Sequence, residues 1–290
     1  MTVIVEAAAA SAAPLVEEAL AERGFEAGTA VARSSEDASR IAHEAIASGG
    51  RFVVAVGGDD VVHDVVNGIF TQPDHAEPPV LGVIPAGIDN EFFRQFGLPM
   101  DVEKAAGHLA GDAVYPIDVG VLDCGDGSGQ PRSAFVANVV EAGLGARMAP
   151  WTTGQPRGRT FLRFWAGVVG AKSSSVHVEA ARQRYDGRAW SVVVGNGKFG
   201  AGGFRVSPRS FPGDGVLEVL VHHGPRSAAF TSLPKAYKGE QVPSPHIAEL
   251  RGNRVRIEAE PAMPIAVDGR PFGRTPATVE VRAQALFLKI

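Results

Sequence analysis

The residues Gly57-Gly58-Asp59-Asp60 combine types and spacing suited to phosphate chemistry. Apolar residues at 52–56 read as a short buried strand, and Val61, Val62, Val65, Val66 and Ile69 fall on or near one face of a following helix. A strand that breaks at two glycines into a helix brings main-chain N–H groups close to an anion. Glycine has no Cβ to block the approach, and the helix N-terminus carries partial positive charge. Asp59 and Asp60 act in the opposite sense, placing negative charge where phosphate oxygens would sit unless a cation lies between. The alternative for Asp59 is an N-cap in a strand-to-helix turn that holds no ligand. His63, in the first turns of the helix, reads as a surface or packing residue, and Asp214, between two glycines, as a turn residue.

The elements that must position these residues alternate. Val3–Val5 is a short apolar strand, and Ala13 to Arg23 reads as a helix with Leu15, Ala19 and Leu20 as its stripe. Thr29–Ala32 is a second strand; Ser35 caps a helix running to about Ser48, with Ile41, Ala42, Ala45 and Ile46 inward. Val80–Ile84 is a further strand, followed by a short helix around Glu91–Phe96. This alternation predicts a parallel sheet with helices on both faces. After Tyr115 short alternating runs dominate: Ala134–Val140, Ser175–Ala180, Trp190–Val194, Val216–His222, Arg254–Glu258, Ala277–Val281 and Ala285–Ile290. Separated by Gly- and Pro-rich turns, they predict a mostly antiparallel β domain. One helical stretch, Arg159 to Lys172, interrupts them. The expected architecture is an N-terminal doubly wound α/β domain over residues 1–120 and a β-sandwich-like domain over residues 121–290. The last strand is free to return to the first domain, and a cleft is expected between the two.

A chain of 290 residues is comfortable for two domains, and its 45% apolar and 21% charged residues are ordinary for a globular protein. A net charge of -4 leaves no electrostatic footprint for nucleic acid. The one cysteine, Cys124, excludes an internal disulfide and a multi-cysteine metal site. The N-terminal stretch has no basic start and is interrupted by Glu6, Glu17 and Glu18, which makes it a poor signal peptide, and no charge-free apolar run is long enough to span a bilayer. The expected compartment is the cytoplasm.

Six motifs, in order along nearly the whole chain, resemble the diacylglycerol kinase catalytic-domain family, which includes bacterial lipid kinases and sphingosine kinases and is distantly similar to NAD kinases. Residues 57–68, GGDDVVHDVVNG, are similar to the family's GGDGT element, and residues 82–99, GVIPAGIDNEFFRQFGLP, to its second glycine loop. YPIDVG at 115–120, VGNGKFGAGGFRVSP at 194–208, GDGVLEV at 213–219 and VDGR at 267–270 complete the series. The resemblance implies an α/β domain and a β-sandwich with the active site in the cleft between them. It implies ATP and Mg²⁺ as cofactors, a lipid or lipid-like partner, and phosphoryl transfer to a lipid hydroxyl. Nucleotide would be held by Gly57, Gly58, Asp59, Asp60, Gly87, Asp89 and Asn90. A structural Mg²⁺ would take Asp214 with main-chain oxygens of Phe211 and Val216.

The departures fall on the reacting positions. The family's Gly-Thr after the first aspartate is Asp60-Val61, its Asn-Glu pair is His63-Asp64, and its Gly-Thr-Gly-Asn is Gly87-Ile88-Asp89-Asn90. The glutamate of Asp-Gly-Glu, the family's proposed general base, is Arg270, and a guanidinium cannot take a proton. Asp268 is then the nearest candidate for that role. Asp60 and Asp89 read as solvated carboxylates, cation ligands or partners of Arg270. The expected function is that of a lipid kinase with a degenerate nucleotide site. The alternatives are a non-catalytic protein that binds a ligand or partner in the cleft, and an enzyme turned to other chemistry. The apolar stretch Phe161–Val169, with Arg157, Arg159 and Arg163 nearby, is either a core helix or a point of peripheral membrane contact.

Overall fold

The computed structural model describes residues 1–71, 77–87, 90–152, 167–168, 170–200, 205–225, 227 and 244–290. Ile88, Asp89 and most of the stretch from Arg159 to Lys172 lie outside the described residues. Backbone contacts divide the chain into two units, Met1–Val119 with Ala283–Ile290, and Gly120–Arg282.

The first unit is a parallel sheet with helices on both faces. Strand β1 (Thr2–Glu6) is followed by α1 (Ala13–Ala21), β2 (Gly28–Ala32), α2 (Ser35–Ala47), β3 (Phe52–Gly57), α3 (Asp59–Ile69), β4 (Val80–Pro85), α4 (Glu91–Phe96) and α5 (Val102–Leu109). The sheet runs β4-β3-β1-β2, every pair parallel, and Phe287 and Leu288 near the C-terminus add a parallel neighbour beside β4. Val3, Val5, Val54 and Val56 share one apolar cluster with Val16 and Leu20 of α1 and Ala105, Ala106 and Leu109 of α5. The alternate residues Ile4, Val53 and Ala55 are fully buried on the opposite face, as the two-residue strand period requires. Helices α2 and α3 pack against each other at Gly68, where a Cβ would lie 2.2 Å from the Ser39 carbonyl oxygen.

Two local expectations need correction. In α1 it is Val16 that is buried, while Leu15 is 41% exposed: Val16, Ala19 and Leu20 form the i, i+3, i+4 stripe and Leu15 lies a step of about 100° off it. The cap of α2 is Ser34, whose hydroxyl accepts from the Asp37 N–H at 3.2 Å. Ser35 instead donates to the Asp64 carboxylate on α3.

The second unit is a β-sandwich. The chain enters it within β5 (Val114–Gly125) and continues through β6 (Pro131–Val136), β7 (Val139–Gly143), α6 (Leu144–Thr152), β8 (Ser174–Ala180), β9 (Gln183–Ala189) and β10 (Ser191–Gly195). It ends with β11 (Leu217–His222), β12 (Ile247–Gly252), β13 (Arg254–Glu260), β14 (Pro264–Val267) and β15 (Arg270–Lys289). One layer runs β12-β11-β10-β7-β14-β15, all antiparallel, and β9-β8-β13 join β15 further along its length. A single cluster fills the space between layers. Val140, Val192, Val194, Val219, Val221 and Ile265 come from one side, and Leu122, Val136, Val176, Val178, Val255 and Ile257 from the other. Of the runs expected as separate strands, Ala277–Val281 and all of Ala285–Ile290 but its last residue belong to β15, while the run Ala134–Val140 is broken at Ala137-Asn138 into β6 and β7.

Candidate functional site

Parallel pairing sets the carboxyl ends of β1, β3 and β4 side by side, with Val5 opposite Val56 and Gly57 opposite Pro85. The turns that leave these ends therefore meet, as in other open α/β sheets whose ligands bind beyond the carboxyl ends of the strands. Gly87 rests directly on the first glycine turn: a Cβ on it would lie 2.4 Å from the Gly58 nitrogen and 2.6 Å from the Gly58 Cα. The Ala86 N–H donates to the Gly57 carbonyl at 3.0 Å. Two loops separated by some thirty residues thus share one backbone contact that only glycine permits.

Asp59 is committed to the chain itself. The two Asp59 oxygens accept from the Glu91 and Phe92 N–H groups, each at 3.0 Å, so Asp59 caps α4 and ties it to the start of α3. Asp60 lies half-buried in the first turn of α3, and Asp89 is outside the described residues. Asn90 is 8% exposed; its Nδ2 donates to the Gly87 carbonyl at 2.8 Å and its buried Oδ1 has no hydrogen-bond partner. The Gly58 N–H donates to the Glu6 carboxylate at 3.1 Å. The loop backbone therefore suits a phosphate, but the side chains around it offer oxygen acceptors, which suit it poorly. His63 is buried on α3 and is a packing residue.

In the second unit, Asp268 and Gly269 form the two-residue connection between β14 and β15, with φ of +46° and +82° and Val267 paired to Arg270. The Asp268 carboxylate accepts three main-chain N–H groups, from Ala137 at 3.0 Å, Asn138 at 2.8 Å and Val139 at 2.9 Å. Its own N–H donates to the Val139 carbonyl at 2.9 Å. The same break between β6 and β7 receives the glycine-asparagine motif: the Asn196 and Gly197 N–H groups donate to the Asn138 carbonyl at 2.9 and 2.6 Å, and Asn196 Nδ2 donates to the Ala137 carbonyl at 3.0 Å. Asp268 thus locks a turn, and Arg270 opens β15 beside it.

The residues suggested for a structural cation do not fit one. Asp214 Oδ1 accepts from the Val216 N–H at 3.1 Å, and Oδ2 faces the Arg251 guanidinium at 3.3 Å. The Phe211 carbonyl accepts from the Gly213 N–H at 2.8 Å. Arg251 also pairs through Nε with Glu218 at 2.8 Å, whose side chain is 4% exposed. Burial pushes the Glu218 carboxyl above its ordinary range, and Arg251 opposes that push. One guanidinium is shared between the two carboxylates, so a divalent cation there would meet a positive charge beside Asp214. Among the described residues no group of three or more His, Cys, Asp or Glu side chains is placed to hold a metal.

The spacing of motifs singles out neither Glu6 nor Asn138. Glu6 has a readable signal, an acid closing an apolar strand that pairs beside the glycine strand. Asn138 is a polar residue breaking the apolar run from Ala134 to Val140.

Comparison with known proteins bears on both units. Residues 4–122 match the family model described as the diacylglycerol kinase catalytic domain, and residues 138–290 match that of the YegS C-terminal NAD kinase beta sandwich-like domain. The chain is 26% identical over 265 residues to a diacylglycerol kinase of Bacillus subtilis (strain 168), covering 88% of this chain and 82% of that protein. It is 30% identical over 208 residues to a protein of Xanthomonas campestris pv. campestris (strain 8004) named "Probable lipid kinase YegS-like", covering 70% of this chain and 66% of that one. In fold it is similar to a diacylglycerol kinase from Bacillus anthracis str. Sterne, with a TM-score of 0.75 at 20% identity, covering 99% of this chain and 96% of the other. An NAD kinase from Archaeoglobus fulgidus, solved in complex with ATP, is more distant, at a TM-score of 0.53 and 16% identity over 100% of this chain and 94% of its own.

Proposed function

Because the chain belongs to the family of diacylglycerol kinases and YegS-like lipid kinases, we propose that it carries out the family's phosphoryl transfer, from ATP to a hydroxyl of a lipid or lipid-like molecule, in strongly attenuated form. The observation that carries this reading is the seating of Gly87 on Gly58, which brings the two glycine loops together at the carboxyl ends of β3 and β4. When bound, ATP supplies the phosphoryl group; Gly57, Gly58, Gly87 and Asn90 are the residues that would hold its phosphates. The attenuation follows from three features. Arg270 cannot act as a general base, and the loss of one costs about 10²–10⁴ in rate. Asp268 is occupied by three N–H groups, Glu6 holds the Gly58 N–H, and Asp60 adds an acid in the first turn of α3. The lipid acceptor rests on family membership. Among the described residues no helix is long and apolar enough to cross a membrane. Peripheral contact through Phe161–Val169 belongs to the same proposal, on residues mostly outside those described.

The test is transfer of radiolabelled phosphate from ATP to vesicles containing diacylglycerol, sphingoid bases and other hydroxyl-bearing lipids. The expected rate is no more than about a hundredth of that of the Bacillus subtilis relative under the same conditions. Transfer equal to the relative's overturns the attenuation. The occupied Asp268 and the Arg270 substitution also favour a second reading, a non-catalytic protein that binds lipid. Lipid binding with no transfer at any enzyme concentration selects it.

A further inference from the structure

The room made by the first loop glycine is already filled, and by an anion. Register pairs Val5 with Val56, and the next residues, Glu6 and Gly57, end β1 and β3. A Cβ on Gly57 would lie 2.5 Å from Glu6 Oε2 and 2.8 Å from Glu6 Cβ, so the Glu6 side chain runs through the space that the missing Cβ leaves. Its carboxylate accepts the Gly58 N–H at 3.1 Å, the donor that opens onto the N-terminus of α3. A carboxylate at this place satisfies the main-chain donor and the partial positive charge of the helix in the way that a phosphate oxygen would. Asn90, whose Nδ2 donates to the Gly87 carbonyl, adds a buried Oδ1 that has no hydrogen-bond partner. At this loop the Gly58 N–H is thus taken and a buried acceptor is left over.

We propose that Glu6 is the resident anion of the Gly57–Gly58 loop, a built-in competitor that excludes phosphate until its side chain swings away. The proposal rests on the reading of this loop as the place of nucleotide phosphate, and it makes Glu6 the residue that sets how tightly polyphosphates bind. A phosphate must either displace the carboxylate from the Gly58 N–H or sit next to it, and both weaken binding. Glu6→Gln keeps the shape and an oxygen for the Gly58 N–H while removing the charge. Glu6→Asp keeps the charge but shortens the reach by one methylene.

The experiment titrates inorganic triphosphate, ATP and adenosine into the full chain and both variants. Calorimetry gives affinity, and the Gly57 and Gly58 amide resonances report place. In the absence of any ligand, Glu6→Gln is expected to shift the Gly58 amide through loss of the charged acceptor. Triphosphate and ATP are expected to bind Glu6→Gln at least about tenfold tighter than the unmodified chain, with Glu6→Asp between them and adenosine unchanged. If triphosphate perturbs Gly58 and binds all three proteins equally, the role of Glu6 is overturned while the loop remains the phosphate site. If triphosphate binds none of them, or perturbs only other residues, the reading of the loop fails and the proposal with it.

Discussion

Replacing Asp268 by Asn separates a structural carboxylate from a catalytic one. The residue sits at φ +46°, a conformation asparagine accepts, so the backbone of the turn is not strained by the change. The side-chain oxygen that serves Asn138 and Val139 can remain an acceptor, but the position facing the Ala137 N–H becomes an NH₂ group opposite another donor. Ala137, Asn138 and Val139 are all buried, so water cannot replace the lost acceptor. One unsatisfied buried N–H costs about 1–3 kcal/mol, and turning two charge-assisted bonds into neutral ones costs about 1 kcal/mol each. The expected loss is about 3–5 kcal/mol, which for a unit of this size corresponds to a fall in melting temperature on the order of 10 °C. Urea unfolding followed by tryptophan fluorescence measures it, since Trp190 is buried in the second unit. A loss below about 1 kcal/mol would refute the assignment of Asp268 to holding the turn. If stability were kept while any phosphoryl transfer vanished, Asp268 would be the substitute base.

Three further perturbations test other parts of the account. With Arg251 in the cation's place, chelators and added Mg²⁺ are expected to leave the melting temperature unchanged, whereas Arg251→Ala should destabilise by about 3 kcal/mol at neutral pH by stranding Glu218. Because the folded Glu218 carboxyl is raised above its ordinary range, that loss should already shrink as pH falls toward the carboxylate range; melting curves at pH 4 and 7 that show equal losses contradict it. Burial holds the His222 imidazole down to about 4 from 6.5, so the unfolded chain takes up its proton first, and the stability present above pH 6.5 drains as pH falls toward 4. His222→Phe, which keeps a ring against Trp190, should remove about 3 kcal/mol of that acid sensitivity in urea midpoints measured at pH 7.5 and 4.5, and an unchanged slope refutes it. Gly68→Ala should cost about 1–3 kcal/mol by forcing α2 and α3 apart at Ser39, and a neutral result in thermal unfolding would show that the helices can slide.

The strongly patterned elements of the first unit were legible because apolar periodicity alone specifies them: Phe52–Gly57, Asp59–Ile69, Val80–Pro85 and Glu91–Phe96 lie where the sequence predicts them within a residue or two. Helix α5 was missed because Glu103, Lys104, Gly107 and His108 dilute its apolar face to two alanines and a leucine. Strand β9, QRYDGRA, carries no alternation to read; pairing with β8 makes it a strand, a tertiary effect. The family and its two-part fold were also readable, because ordered motifs survive where individual side chains have changed. The roles of the site residues were not. That Asp59 caps α4, that Asp268 closes a turn 130 residues away and that Glu6 reaches Gly58 depend on contacts between distant segments, which spacing along the chain does not encode.

The affinity of the unmodified chain for ATP, with and without Mg²⁺, tests the central claim most directly. Both glycine loops lack the family's hydroxyl and carry added acids at Asp60 and Asp89, and each carboxylate near a phosphate adds repulsion on the order of 1–4 kcal/mol. Calorimetry is therefore expected to give dissociation constants weaker than about 1 mM in both conditions, and tighter binding when Asp60→Gly is combined with Val61→Thr. Micromolar binding by the unmodified chain contradicts the attenuated site. If that binding appears only with Mg²⁺, a cation bridges the acids and the chain is an ordinary member of its family at the nucleotide.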